Sequence, residues 1–447
     1  MNANVIPKLP GGTWLGHLPA FRGNPIGWLT QAAAHGDMVR TRLGVFDLIM
    51  ISAPALVQEV LVDKVEHFEK SYGLTLFARP LLGDGLLTAN NTPHRRQRKL
   101  LAPAFVHKRI AGYAQVTAEH AERGLARLLA RGTVEISEQT MQTTLGIVAK
   151  TLFDADVQGD SDEVGDALTE AMESIIGSMT ATVPLPPPLP TRVNRRIARS
   201  TARLDRIIYR LIDERNGEDR GDMLSLLRSA RDEDGQPMTR LQIRDEAMTA
   251  FLAGHETTAN ALAWTLYLLA KNPDALAEVE AELDTVLAGR PPVFEDLPRL
   301  PATLRALKEA MRLYPPAFML TRRVTSEVNI GGHALPRNQL VLINIHGIHR
   351  RADAFPEPLA FRPARFLDEK SFPRHAYMPF GAGPRMCIGN HFAWMEGQLV
   401  LASWLSRARF TLPDPSFVPE LEPLITLRPK APLTMRVQAR QVRAQMA

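Results

Sequence analysis

The stretch "PMTRLQIRDEAMTAFLAGHETTANALAWTLYLLAKNP" carries no proline between Arg240 and Lys271 and keeps helical apolar spacing throughout. Thr239 and Gln242 stand in capping-box spacing at its start, and Asn272-Pro273 ends it. A helix over that span runs about 48 Å at 1.5 Å per residue, long enough to cross the whole molecule. The rest of the chain must therefore pack around it.

The middle of this helix departs from ordinary core composition. Gly254 costs on the order of 1 kcal/mol against Ala inside a helix, and the polar run "HETT" follows at once. Ala250, Ala253, Gly254, Thr257 and Ala261 share one side and make a smooth, shallow surface against which a flat group can lie. Close packing of a second helix on small residues explains that surface equally well. It does not explain Glu256 beside Thr257, because a buried carboxylate must find partners or change its pKa. Thr257 is expected to bond back to the Ala253 carbonyl, loosening the helix and admitting water, so that the pair builds a proton relay.

A chain of 447 residues, 45% hydrophobic and 23% charged, has ordinary globular composition. Length alone suggests two or three domains at roughly 150 residues each. No composition shift marks a boundary, so we expect a single domain over 1–447, with a β-rich part near 30–70 and a helical body. Helical periodicity dominates from 52 to 288, while "MVRTRLGVFDLIMIS" and "LVLINIHG" read as strands. The expected fold class is mainly α with small β-sheets. The apolar segment "GLTLFARPLLGDGLLTANNTP" (73–93) reads as a long loop of lid type, and "VPLPPPLPT" (183–191) as a stiff connector.

The N-terminus lacks the apolar core of a signal peptide, and the longest apolar run, "ALAWTLYLLA", is too short to span a bilayer. A cytoplasmic protein without a transmembrane anchor or fused reductase is expected. Net charge is +5, spread over clusters such as "HRRQRK" (94–99) and "TRVNRRIARSTAR" (191–203). No nucleic-acid motif accompanies them, so an acidic protein partner is the better use of a basic face.

The chain has one cysteine, which excludes intramolecular disulfides, four-cysteine zinc sites and cysteine-ligated iron–sulfur clusters. That residue, Cys387, sits in "MPFGAGPRMCIGNHFA", a loop of glycines and proline leading into a helix. A thiol there meets unsatisfied N–H donors, which favour thiolate and suit it as a nucleophile or a metal ligand. One protein sulfur suffices for a metal if the other positions belong to a porphyrin. Upstream, "LRALKEAMRLYPP" sets Glu309 and Arg312 on one helical face, and Arg365 in "FPEPLAFRPARF" offers a second cation to the same carboxylate. That network is expected to be structural.

At these residues the chain resembles the cytochrome P-450 family of haem-thiolate monooxygenases. The pattern Phe-x-x-Gly-x-Arg-x-Cys-x-Gly is carried by Phe380, Gly383, Arg385, Cys387 and Gly389. Ala253-Gly254-x-Glu256-Thr257-Thr258, Glu309-x-x-Arg312 and the Pro-x-Arg-Phe of Pro363 to Phe366 accompany it in matching order, over about residues 30 to 430. The resemblance implies haem b (iron protoporphyrin IX) with Cys387 as its axial ligand, Phe380 packed beside the sulfur, and Gly383 and Gly389 admitting backbone to the ring. Glu256 and Thr257 would deliver protons during activation of O2, and His94, Arg98, Arg322 and Arg385 would hold the propionates. His94 stands where many relatives have Trp, Ala364 where Glu is usual, and Pro336-Arg337-Asn338 where Pro-Lys-Gly is frequent.

The implied reaction inserts one oxygen atom from O2 into a lipophilic guest such as a fatty acid, terpenoid or steroid-like molecule. Electrons would come from NAD(P)H through a ferredoxin or flavodoxin with its reductase, with the "HRRQRK" cluster (94–99) as the docking patch, tested at Arg95 and Arg96, and the chain acting as a monomer. The alternatives are a peroxygenase, an isomerase or dehydratase on the same scaffold, and a haem sensor; the intact Glu256-Thr257 pair argues for oxygen activation. By position, the pocket wall is expected from Leu76, Phe77, Leu86, Leu87, Ile176, Met179, Phe251, Ala317, Phe318, Met319 and Ile425. Arg79 is a candidate carboxylate partner, with a surface position as the alternative.

Overall fold

The computed structural model describes residues 5–441 except 156–160, 180, 182–184, 186–188 and 215–219. The helices that position the site are α1 (Asn91–Leu101), α2 (His107–Arg131), α3 (Ile136–Phe153), α4 (Arg240–Lys271), α5 (Pro301–Leu313) and α6 (Asn390–Leu405). The 183–191 connector falls mostly outside the described residues.

The long central helix is α4, unbroken over its whole span. Its capping box is closed: Gln242 N–H donates to Thr239 Oγ1 at 3.2 Å, and Thr239 N–H donates to Gln242 Oε1 at 2.8 Å. Most of its residues are buried all round, as expected of a helix crossing a molecule's centre. It packs most extensively on α3, where a Cβ built on Gly254 would lie 3.0 Å from Val148 Cγ2. Gly254 thus lets the two helices approach. On the other side α6 is fastened to α2 by the Trp404 indole, whose N–H donates to the Ala121 carbonyl at 2.9 Å.

The two strand-like runs form one sheet. Strands β1 (Met38–Leu43), β2 (Phe46–Ile51), β3 (Phe68–Lys70), β4 (Leu320–Val324) and β5 (Leu340–Ile343) are ordered β1-β2-β5-β4-β3. Only the β2–β5 pair is parallel. In the antiparallel β3–β4 pair Lys70 stands opposite Arg322 and Phe68 opposite Val324. A hairpin of β6 (Leu421–Pro423) and β7 (Leu427–Pro429) reaches the middle of α4, where the Trp264 N–H donates to the Leu427 carbonyl at 3.1 Å.

The segment 73–93 is not the open loop expected from sequence. Short helical turns form at Gly73–Phe77 and Arg79–Leu82 because Phe77, Leu81 and Leu82 are buried and pin them, and α1 begins at Asn91. Among the described residues no helix is long and apolar enough to cross a membrane.

Candidate functional site

A cavity of about 1400 Å³ lies between α4 and the cysteine loop and extends to the surface beside the β1–β2 turn and the β6–β7 hairpin. Its floor is the loop from Pro379 to Gly389, which keeps Cys387 at its surface. The loop is tightly wound: the Cys387 N–H donates to the Phe380 carbonyl and the Met386 N–H to the Gly383 carbonyl, both at 3.0 Å. Gly383 has φ +71°, and a Cβ there would fall 1.9 Å from the Leu61 carbonyl oxygen, so no other residue fits. Phe380 lines the cavity and meets Trp394 edge-on at 5.0 Å. Gly389 caps the N-terminus of α6, and its N–H bonds toward the Cys387 sulfur.

The expected lowering of the thiol pKa is not found. Burial pushes Cys387 up from its ordinary value, and the Gly389 N–H and the Arg98 charge only partly oppose it. A helix N-terminus supplies partial charge, whereas loss of hydration acts on the full thiolate charge.

Five cationic or basic side chains line one end of the cavity: Lys70, His94, Arg98, Arg322 and Arg385. None forms an ion pair among the described residues. Arg98 Nη1 donates to the Met386 carbonyl at 2.7 Å, tying α1 to the cysteine loop. Arg385 Nη2 reaches the Phe68 carbonyl and Asn91 Oδ1 at 3.3 Å each. Arg322 Nε and Arg385 Nη1 are buried without a hydrogen-bond partner. Burial, then the charges of Arg385 and Arg322, push Lys70 down to about 6. Burial, with Lys70 first among the neighbouring charges, holds His94 at about 3 and therefore neutral.

Orphaned donors and mutually repelling cations are what a dianion would resolve, so this end of the cavity fits the two propionates that a haem would carry. Lys70 was not anticipated from sequence. Only the pairing of β3 with β4 turns it toward Arg322, and a three-residue strand gives no periodicity from which to infer that.

On the opposite wall Ala253 is exposed to the cavity in mid-helix, beside Gly254 and Thr257. Thr257 Oγ1 donates to the Ala253 carbonyl at 2.8 Å as expected, but α4 stays α-helical there and is not loosened. Glu256 is 7% exposed, and its Oε1 accepts from Thr426 Oγ1 at 2.5 Å. Asn260 Nδ2 donates to the same Thr426 oxygen at 3.0 Å. Burial raises the Glu256 carboxyl above its ordinary pKa, with the Thr426 bond and the Arg428 charge opposing. Glu396 of α6, also missed from sequence, is wholly buried, and burial pushes it well above the carboxylate range.

Behind the cysteine loop, Glu309 and Arg312 of α5 are fully buried and paired at 2.7 Å. Arg365 Nε and the Arg362 N–H both donate to Glu309 Oε1, at 2.8 and 2.9 Å. Arg312 donates to the carbonyls of His349, Pro358 and Ala360. His349 Nε2 then accepts the Met378 N–H at 2.9 Å, so the network reaches the first residues of the cysteine loop.

Phe77, Leu86, Leu87, Ile176, Met179, Ala317, Phe318, Met319 and Ile425 line the cavity. Leu76 and Phe251 do not. Leu76 is 39% exposed, and Phe251 packs on Phe153 and His255, since one residue along a helix turns the side chain about 100° from the face of Ala250. Arg79 is an exposed partner of Asp84 at 2.5 Å. Within the expected docking patch, Arg96 is paired with Asp232 at 2.6 Å and Lys99 with Glu233 at 2.8 Å, leaving Arg95 exposed.

A family model described as cytochrome P-450 matches residues 7–436. Cyclooctatin synthase of Streptomyces melanosporofaciens is 38% identical over 90% of this chain and 89% of its own length. Cyclooctat-9-en-7-ol 5-monooxygenase of the same organism is 36% identical over 88% of the chain and 87% of its own. Pentalenene oxygenase of Streptomyces avermitilis is 32% identical over 95% of both.

Proposed function

The chain belongs to the cytochrome P-450 family of haem monooxygenases, and from that premise we propose that it oxygenates a terpenoid carbon skeleton, with Cys387 as the iron ligand. What carries the reading is one cavity that joins Cys387, the unpaired cation cradle and an apolar wall. Its relatives are named for oxygenating cyclooctat-9-en-7-ol and pentalenene, which agrees with a wall of Leu, Ile, Met and Phe.

Haem bound here supplies activation of O2, with thiolate donation favouring O–O cleavage. Lys70, Arg98, Arg322 and Arg385 would hold its propionates, and neutral His94 would offer them an N–H donor. Backbone bonds within the loop and the Arg98 bond to the Met386 carbonyl brace it, so the sulfur stays fixed while the Gly389 N–H would temper its charge.

Thr257 commits its proton to the Ala253 carbonyl and thereby presents its oxygen lone pairs to the cavity as an acceptor. Glu256, its carboxyl pushed up by burial, is placed to pass a proton toward the Thr257 side of the cavity. The apolar wall excludes bulk water from the reacting C–H bond. The two electrons would come from NAD(P)H through a ferredoxin or flavodoxin with its reductase, and we take the chain as one domain acting as a monomer.

The test is a reduced, carbon-monoxide-treated spectrum followed by titration of the ferric protein with a panel of terpenes and fatty acids. A red-shifted Soret band lost in Cys387→Ser, with terpenes bound more tightly than fatty acids, is expected. Absence of the band, or preference for fatty acids, overturns the ligand or the substrate class respectively.

A further inference from the structure

Arg244, Asp245 and Glu246 are consecutive, charged and each no more than 5% exposed. Neighbouring residues on a helix point about 100° apart, so three of them cannot share one partner surface. Arg244 Nε donates to Asp205 Oδ1 at 2.6 Å, on the helix Arg192–Asp213, and its Nη1 to Asp245 Oδ1 at 3.0 Å. Asp245 Oδ2 accepts the Asp84 N–H at 2.8 Å. Glu246 Oε2 accepts the Leu86 N–H at 2.9 Å.

The other side of the same loop is gripped from the sheet. Lys70 Nζ donates to the carbonyls of Leu86 and Ala89 at 2.6 and 2.7 Å. Both backbone groups of Leu86 are thus held by buried side chains of ionisable residues, one from α4 and one from β3. The loop lies hard against α4: a Cβ on Gly83 would fall 2.0 Å from Asp245 Oδ1, and one on Gly85 2.4 Å from Thr249 Oγ1. Connecting segments usually leave their backbone to water, whereas this one is anchored where Leu86 and Leu87 form cavity wall.

We propose that Glu246 is a positioning residue for substrate selection: by holding the Leu86 amide it sets how far the Leu86–Leu87 wall projects into the cavity, and so which guest shapes fit. The inference rests on the reading of this cavity as the substrate site. Glu246 touches no reacting atom and acts only through the loop. Its Oε1 is buried without a partner, and burial raises its carboxyl to about 7. Charged or neutral, Oε2 remains an acceptor, so glutamine can replace it.

The test compares Glu246→Gln and Glu246→Ala in the full-length, haem-loaded chain by amide hydrogen exchange and by azole binding. Imidazole reports the iron alone, and 4-phenylimidazole reports iron and wall together. In the alanine variant exchange at Leu86 should accelerate roughly tenfold and 4-phenylimidazole should weaken by a similar factor, as expected on loss of a hydrogen bond to a charged group, with imidazole unchanged. The glutamine variant should keep both. Unchanged exchange and azole selectivity in the alanine variant overturn the proposal, as does a glutamine variant as impaired as alanine. If alanine prevents folding, Glu246→Asp, one methylene too short to reach, carries the same comparison. Exchange at Leu86 requires no iron chemistry, so normal exchange behaviour in a chain that binds no azole would sink the monooxygenase reading and leave the clamp standing.

Discussion

Lys70 on β3 and Arg322 on β4 stand directly opposite each other across an antiparallel pair, and both are buried. Like charges so placed repel, and with burial that repulsion holds Lys70 at about 6, so a bound anion is what would restore its charge. Lys70→Met leaves the Leu86 and Ala89 carbonyls without their donor, so it should lower the melting temperature of the haem-free protein and speed haem loss from the loaded one. Calorimetry and transfer of haem to an acceptor protein measure the two effects, and a variant that retains haem as well as the parent excludes Lys70 from the cradle.

The same lysine gives the haem-free protein a pH signature. Its pKa is held at about 6 in the folded chain against 10.5 for an unperturbed lysine, so between those values the unfolded state binds more protons. Stability then rises with pH across that window. Denaturant titrations at several pH values should show the slope, and Lys70→Met should flatten it.

Glu309 is shared by two arginines, and its loss leaves Arg312 fully buried without a counter-charge. Removing one partner of a buried pair costs ~3–5 kcal/mol. Glu309→Ala should accordingly fail to hold haem or melt far below the parent. Because His349 links the network to Met378, exchange at the Met378 amide should rise even in a milder Arg365→Lys variant.

Thr257→Ala removes the acceptor that faces the cavity while leaving α4 a good helix. Consumption of reductant should continue, with peroxide replacing product. Glu256→Gln keeps an acceptor for Thr426 but cannot release a proton, and should slow product formation by on the order of 10²-fold. Product yield per electron pair checks both variants. Full coupling in either one removes that residue from the relay.

Gly254 offers a test of packing. Alanine gains about 1 kcal/mol of helix propensity but sets a methyl 3.0 Å from Val148, so Gly254→Ala should be near neutral. Gly254→Leu should cost ~1–3 kcal/mol by overpacking. A compensating Val148→Ala should recover part of that loss, as thermal denaturation would show.

What was legible in the sequence was local. The α4 cap depends on residues three apart, the cysteine loop on contiguous glycines and proline, and the Glu309–Arg312 pair on helical spacing. What was missed depends on where distant strands and helices meet. Lys70 acquires its meaning from Arg322, Arg96 loses its free charge to Asp232, and Phe251 differs from the cavity-facing Ala250 by one step of helix rotation. The raised pKa of the Cys387 thiol was missed for another reason, since position at a helix start is visible in sequence while the desolvation that opposes it is not.

The parts that hold Cys387 and the parts that meet the guest come from different stretches of chain. The sulfur rests on a loop braced by α5, α1 and His349, whereas the wall is drawn from Phe77–Leu87, Ile176–Met179, Ala317–Met319 and the hairpin tip at Ile425. That separation lets appetite and chemistry drift independently: a descendant can acquire a taste for another skeleton by exchanging a few wall side chains, with the machinery that handles oxygen inherited intact.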